Sequence, residues 1–239
     1  FPFSRQSNRP VLNTKMLKEL EFLKLDVTPE VLKSMMDIYA RAIEGAPHNW
    51  MVLEQYARFL KDSGEPMQAV DHWKKILEIV PHHVMARFEL GRLLSRDPEK
   101  VAEAETYLRE AIDLRPYIPE IHMELGLCLG RQNKAEEALL AFRRAAEIQP
   151  NAIQAHINWA SALRLLGRNQ EAIERLEQAL MISTNNIAAH LNMARFLTPG
   201  KDWEKVIHHL QEVLRLEPDH KEATDALSKV QTLLLQESN

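Results

Sequence analysis

The chain has 239 residues, is 45% hydrophobic and 27% charged, and carries a formal net charge of −4. That balance can bury a core and excludes disorder by composition; the acidic excess excludes a bulk nucleic-acid surface, which needs cations to displace counterions. A single cysteine, Cys128, excludes an internal disulfide and a multi-cysteine zinc site, and no apolar run approaches the roughly 18 residues of a membrane span.

The opening residues, FPFSRQSNRP, lack an initiator Met and a signal-like apolar stretch. Residues 1–12 read as an extension or linker, the cut edge of a longer or processed chain. NTKMLKELEFLKL, 13–25, reads as a degenerate helix, with Leu23 and Asp26 where later units carry a small residue and Leu. Thr28 then caps a second helix with Pro29 at its first position. Together 13–49 make an atypical terminal unit.

Beyond that point the chain repeats itself. Prolines at 47, 81, 116, 150 and 218 keep an interval of 34 or 35 residues, or twice that. Gly91, Gly126, Ala160 and Ala194 keep it too, as do Ala69, Ala104, Ala138 and Ala172, and as do His122, His156 and His190. A fixed period of this length signals stacked helical hairpins. The units fall at 50–83, 84–118, 119–152, 153–186 and 187–220, the second with one extra residue near SRDPEK. Residues 221–239 supply a capping helix and tail, whose TLLL run leaves apolar surface. In the third unit His122, Leu125, Gly126 and Leu129 share one face of a first helix; Ala138, Ala141, Phe142 and Ala145 share one face of a second. Pro150 ends the unit. A hairpin this short cannot bury its own apolar face and must stack on neighbours.

The segments HMELGLCLGRQNKAEEALLAFRRAAEIQP and HINWASALRLLGRNQEAIERLEQALMI resemble the tetratricopeptide repeat (TPR), and the resemblance covers residues 50–236. It implies an all-α fold: a right-handed α-solenoid of stacked antiparallel helix pairs, closed by a C-terminal capping helix. It also implies a concave groove lined by the first helices, with positions 2, 5, 9, 12 and 13 of each unit facing a protein or peptide ligand. Position 5 reads Glu54, Phe88, Met123, Ile157 and Leu191, so four apolar residues follow one another. Arg58, Arg92 and Arg195 stand at position 9, and Lys61, Arg96, Arg131 and Arg164 at positions 12 or 13. An apolar column beside rows of cations suits a segment carrying apolar and acidic residues. Packing at the shoulder between helices, and the helix dipole, account for the same residues without a ligand. Position 6 carries Asn158 and Asn192, which resemble in part the asparagine ladder of O-linked N-acetylglucosamine transferase, where amides contact peptide backbone. The carboxylate clamp of chaperone-tail-binding TPRs is not matched: Glu54, Glu89, Glu120 and Glu124 put acids where that site needs cations.

No phosphate-cradling Gly-rich loop, GxSxG or HExxH occurs. His208 and His209 are adjacent on a helix, point about 100° apart, and do not jointly face one metal. The position of His122, His156 and His190 holds Leu53 and Arg87 in earlier units, so it wants bulk with a polar tip rather than imidazole chemistry. The expectation is a soluble chain without catalytic residues, cofactor or metal, with a cytoplasmic setting favoured. Its function is then to bind a protein or peptide in the groove. The alternative is a substrate-recruiting arm of a larger enzyme (a glycosyltransferase, sulfotransferase or hydrolase) whose catalytic domain lies outside this chain. Self-association through the terminal helices is a third expectation.

Overall fold

The structure is a computed structural model that describes residues 28–200 and 202–237. The extension at 1–12 and the expected helix at 13–25, with Leu23 and Asp26, lie outside the described residues. Those described form twelve α-helices and one short 3₁₀ turn, an all-α solenoid of antiparallel helix pairs. They divide into two compact units, one ending at Leu114 and the other beginning at Arg115.

The first compact unit contains α1 (Pro29–Gly45), α2 (Trp50–Asp62), α3 (Ala69–Ile79), α4 (Val84–Leu94) and α5 (Val101–Leu114). Thr28 caps α1, its hydroxyl accepting from Val31 N at 3.4 Å, and Pro29 opens it. Asn49 caps α2, accepting from Met51 N at 3.2 Å. Each helix packs on the next. Trp73, Phe59, Leu53, Leu90 and Leu108 are fully buried between them. Tyr39 stacks on Tyr56 at 5.1 Å and tilts against Phe59 at 5.5 Å, which ties α1 to α2.

The second compact unit contains α6 (Pro119–Arg131), α7 (Ala135–Ile148), α8 (Ile153–Leu165), α9 (Asn169–Ile182), α10 (Ile187–Leu197), α11 (Trp203–Leu216) and α12 (Lys221–Glu237). Consecutive helices again pack pairwise, and α8 also touches α10, the next first helix. Asn186 caps α10 through Ala189 N at 2.9 Å.

Two backbone devices shape the hairpins. One is close approach: a Cβ on Gly126 would lie 2.6 Å from Phe142 Cδ1, and one on Gly91 2.8 Å from Leu108 Cδ2. Glycine at these places lets the second helix sit against the first. The other is the turn between the helices. Gly64, Asn133 and Gly167 have φ of 87°, 58° and 75°, and each is the fifteenth residue of its unit. Pro98 holds that place in the second repeat and cannot adopt positive φ. There the extra residue makes a different turn, in which Asp97 Oδ1 accepts from Glu99 N at 3.0 Å.

The buried face is wider than the spacing 4, 7, 8, 11 implies. Position 3 (Val52, Ala86, Ile121, Ala155, Ala189) and position 10 (Phe59, Leu93, Cys128, Ala162, Phe196) are buried throughout. A first helix packs against its own partner and against a neighbouring repeat, so two faces leave solvent rather than one.

Candidate functional site

At position 4 the three histidines are held by hydrogen bonds. His122 Nε2 donates to Pro116 O at 2.9 Å, His156 Nε2 to Pro150 O at 2.9 Å, and His190 Nε2 to Thr184 O at 2.8 Å. All three are buried. Arg87, at the same place, donates to Pro81 O and also pairs with Glu110 at 2.7 Å. Each polar tip thus satisfies a carbonyl in the turn just upstream of its helix. Among the described residues, no group of three or more His, Cys, Asp or Glu is placed to hold a metal ion.

In the first compact unit the expected cations are already engaged. Arg58 Nε reaches Glu54 Oε1 at 3.1 Å. Arg92 Nε reaches Glu89 Oε2 at 3.1 Å, and Lys61 reaches the other oxygen of Glu89 at 3.3 Å. Glu89 is buried. Phe88 is half-buried beside this network, and Arg96 is exposed at the end of α4. The charges here largely cancel one another locally.

The second compact unit places its residues differently. Met123 packs against Ala145, Ala146 and Ala155, with Trp159 alongside. Ile157 is only 3% exposed, so the apolar column is interrupted there and offers a ligand little of that side chain. Leu191 and Asn192 are half-buried. Asn158 Oδ1 accepts from Gln154 Nε2 at 2.9 Å. Arg164 lies over the Phe196 ring at 4.8 Å, and Arg195 Nε pairs with Glu222 at 3.0 Å. Arg131 is exposed.

Between α6, α7 and α8 lies a cleft of about 340 Å³. Gly126, Leu127, Ala162 and Leu165 form its apolar wall, and Arg131 and Asn158 stand at its edge. Leu165 is 74% exposed, which is unusual for a leucine on a helix that otherwise packs well. Four of the expected positions therefore meet here: 6, 9, 12 and 13. Sequence reasoning missed Ala162 and Gly130 as lining residues, because small side chains mark a cavity only once their neighbours are known. A second cleft of about 230 Å³ lies between α10, α11 and α12, lined by Leu191, Ala194, Arg195, Trp203, Lys229 and Leu233 among others.

The adjacent histidines of α11 face apart, as their 100° offset implies. His208 is exposed and His209 buried, and His209 Nδ1 lies 2.9 Å from His190 Nδ1. Because His190 Nε2 holds the proton given to Thr184 O, its Nδ1 accepts and His209 Nδ1 donates. Burial, then the nearby His190 and His208, push the His209 pKa down to about 4.

Comparison with known proteins agrees with this architecture. Models of the tetratricopeptide repeat match residues 57–117, 96–153 and 163–230. The chain belongs to the tetratricopeptide repeat family, whose repeats generally mediate protein–protein interaction. Protein O-mannosyl-transferase TMTC1 of Homo sapiens is 29% identical over 129 residues, 54% of this chain and 14% of its own length. The Mus musculus protein of the same name is 29% identical over 111 residues, covering 46% and 11%. The chain thus spans a small fraction of these curated relatives. Among solved structures, the APC/C hetero-tetramer Cut9–Hcn1 superposes with a TM-score of 0.66 at 21% identity, over 84% of this chain and 40% of that one. YrrB, described as a TPR protein with an unusual peptide-binding site, gives 0.63 at 21% identity over 79% and 96%. At such identities the likeness speaks for the fold alone. No described helix is long and apolar enough to cross a membrane.

Proposed function

We propose that the chain is an interaction module that takes a segment of another protein along its first helices, with an apolar side chain of that segment seated in the cleft between α6, α7 and α8. The observation that carries this is the cleft itself: exposed Leu165 and small Gly126, Gly130 and Ala162 frame about 340 Å³, with the polar side chains of Asn158 and Ser161 in its lining. A concave apolar site with a few polar groups is the common form of a binding site. The groove residues Phe88, Arg58, Arg92 and Arg96 would contribute less, since Arg58 and Arg92 hold partners of their own. The test is a tiled peptide array probed with wild type and with Ala162→Phe. Phenylalanine at this place copies Phe196 of the fifth repeat and fills the cleft; a circular dichroism melt of the variant checks that it is folded before it is probed. Loss of most bound spots is expected. An unchanged pattern removes the cleft from consideration.

A second reading is that the module recruits substrate for a larger enzyme. The similarity to protein O-mannosyl-transferase TMTC1 over 129 residues favours it. Immunoblotting of the source tissue tests it: a band well above 27.6 kDa is expected, and a band at that mass alone contradicts it.

A further inference from the structure

The two clefts of the second compact unit occupy the same place in the repeat. Gly126, Gly130 and Phe142 line the first from the third repeat, and Ala194, Thr198 and Leu210 line the second from the fifth. These are positions 8, 12 and 24 in both. The following helix supplies position 10, Ala162 in one and Val230 in the other. In the repeat between them, position 12 is Arg164 and the facing position 10 is Phe196, stacked at 4.8 Å. A long cation on a ring thus occupies the corresponding place in the middle, while small residues leave space on either side.

We propose, on the basis of the groove reading above, that the ligand is an extended segment of another protein with two apolar side chains about six residues apart, one in each cleft, and a carboxylate between them at Arg164. The spacing follows from packing. Adjacent first helices such as α8 and α10 touch, and packed helices lie roughly 8–10 Å apart. Two such steps are on the order of 20 Å, which an extended chain spans in about six residues at ~3.3 Å each. The charge follows from the plug. Arg164 is an exposed cation held over the Phe196 ring. A guanidinium stacked on a ring keeps its N–H donors in the plane of the fork, where a carboxylate can be gripped. At the second cleft Glu222 is paired with Arg195, and Lys229 adds a cation to the lining. The occupant is therefore acidic at its centre and apolar on both flanks.

Fluorescence anisotropy with labelled synthetic peptides tests this on the full chain. The probe peptide is Ser/Gly-rich with two leucines six residues apart and Asp midway; companions place the leucines three or nine apart, or replace Asp by Asn. The expected result is about tenfold tighter binding at the six-residue spacing, equivalent to ~1.4 kcal/mol. Ala162→Phe and Val230→Phe should each reduce that peptide to the level of a single-leucine control. Arg164→Gln should erase the preference for Asp over Asn. Equal affinity at all spacings, lost in Ala162→Phe, overturns the two-cleft ligand and leaves the single-cleft reading standing. Equal affinity retained in Ala162→Phe overturns both. If none of the peptides binds, or if wild type sediments as a dimer that Ala162→Phe dissolves, the inference fails.

Discussion

At the scale of single residues, the position-4 side chains act through their hydrogen-bonding tips. His156 donates to Pro150 O and is buried. His156→Leu removes that hydrogen bond, at a cost of ~0.5–1.5 kcal/mol; His156→Arg should recover part of it, since Arg87 makes the equivalent bond to Pro81 O. Urea denaturation of both variants checks this, and equal loss in the two would contradict the shared role. His209 gives a pH dependence. Its folded pKa is about 4 against an ordinary 6.5. Above pH 6.5 the contribution is fully present. As pH falls from 6.5 towards 4, the unfolded chain binds a proton that the folded chain refuses, so stability drops, by ~2–3 kcal/mol at the lower end. His209→Gln should flatten that part of the stability–pH curve, and a curve of unchanged slope would refute the assignment. The 34-residue spacing made the structural character of the three histidines legible. The His190–His209 bond was not legible, because it joins a repeating position to a non-repeating one.

Helices and hairpins are governed by matched pairs of small and large residues. Gly126 faces Phe142 with no room for a Cβ. The fourth and fifth repeats instead set Ala160 and Ala194 at this place, with Leu176 and Leu210 in the register of Phe142. Gly126→Ala should therefore destabilise by ~1–3 kcal/mol through overpacking. Combining it with Phe142→Leu should cost less than the sum of the two single changes, a coupling readable by a double-mutant cycle; strict additivity would rule out the contact as the cause. The repeat beat set the rhythm of the first helices; caps did not, since Ile118 and Ala152 precede α6 and α8 without a side-chain capping bond. The width of the buried face was not: position 10 holds Phe59, Leu93, Cys128, Ala162 and Phe196, which share burial but no chemical pattern. Ile157 shows the converse. Its column looks apolar and continuous in sequence, yet its side chain is taken up by packing.

For the whole molecule, repeat architecture was legible because period, small residues and prolines all encode it at once. The clefts were not, since each arises from absent atoms on two neighbouring repeats, as at Gly130 with Ala162. Similarity to known proteins adds the family and the general role of its repeats, while the particular ligand rests on the geometry of α6 to α12. The most direct measurement is an amide ¹H–¹⁵N NMR titration of the chain with the tightest peptide from the array. Shifts concentrated at Gly126, Gly130, Ala162 and Leu165 are the expected result. Shifts confined to the outward faces of α7 and α9, with those four residues unmoved, would contradict a ligand seated on the first helices.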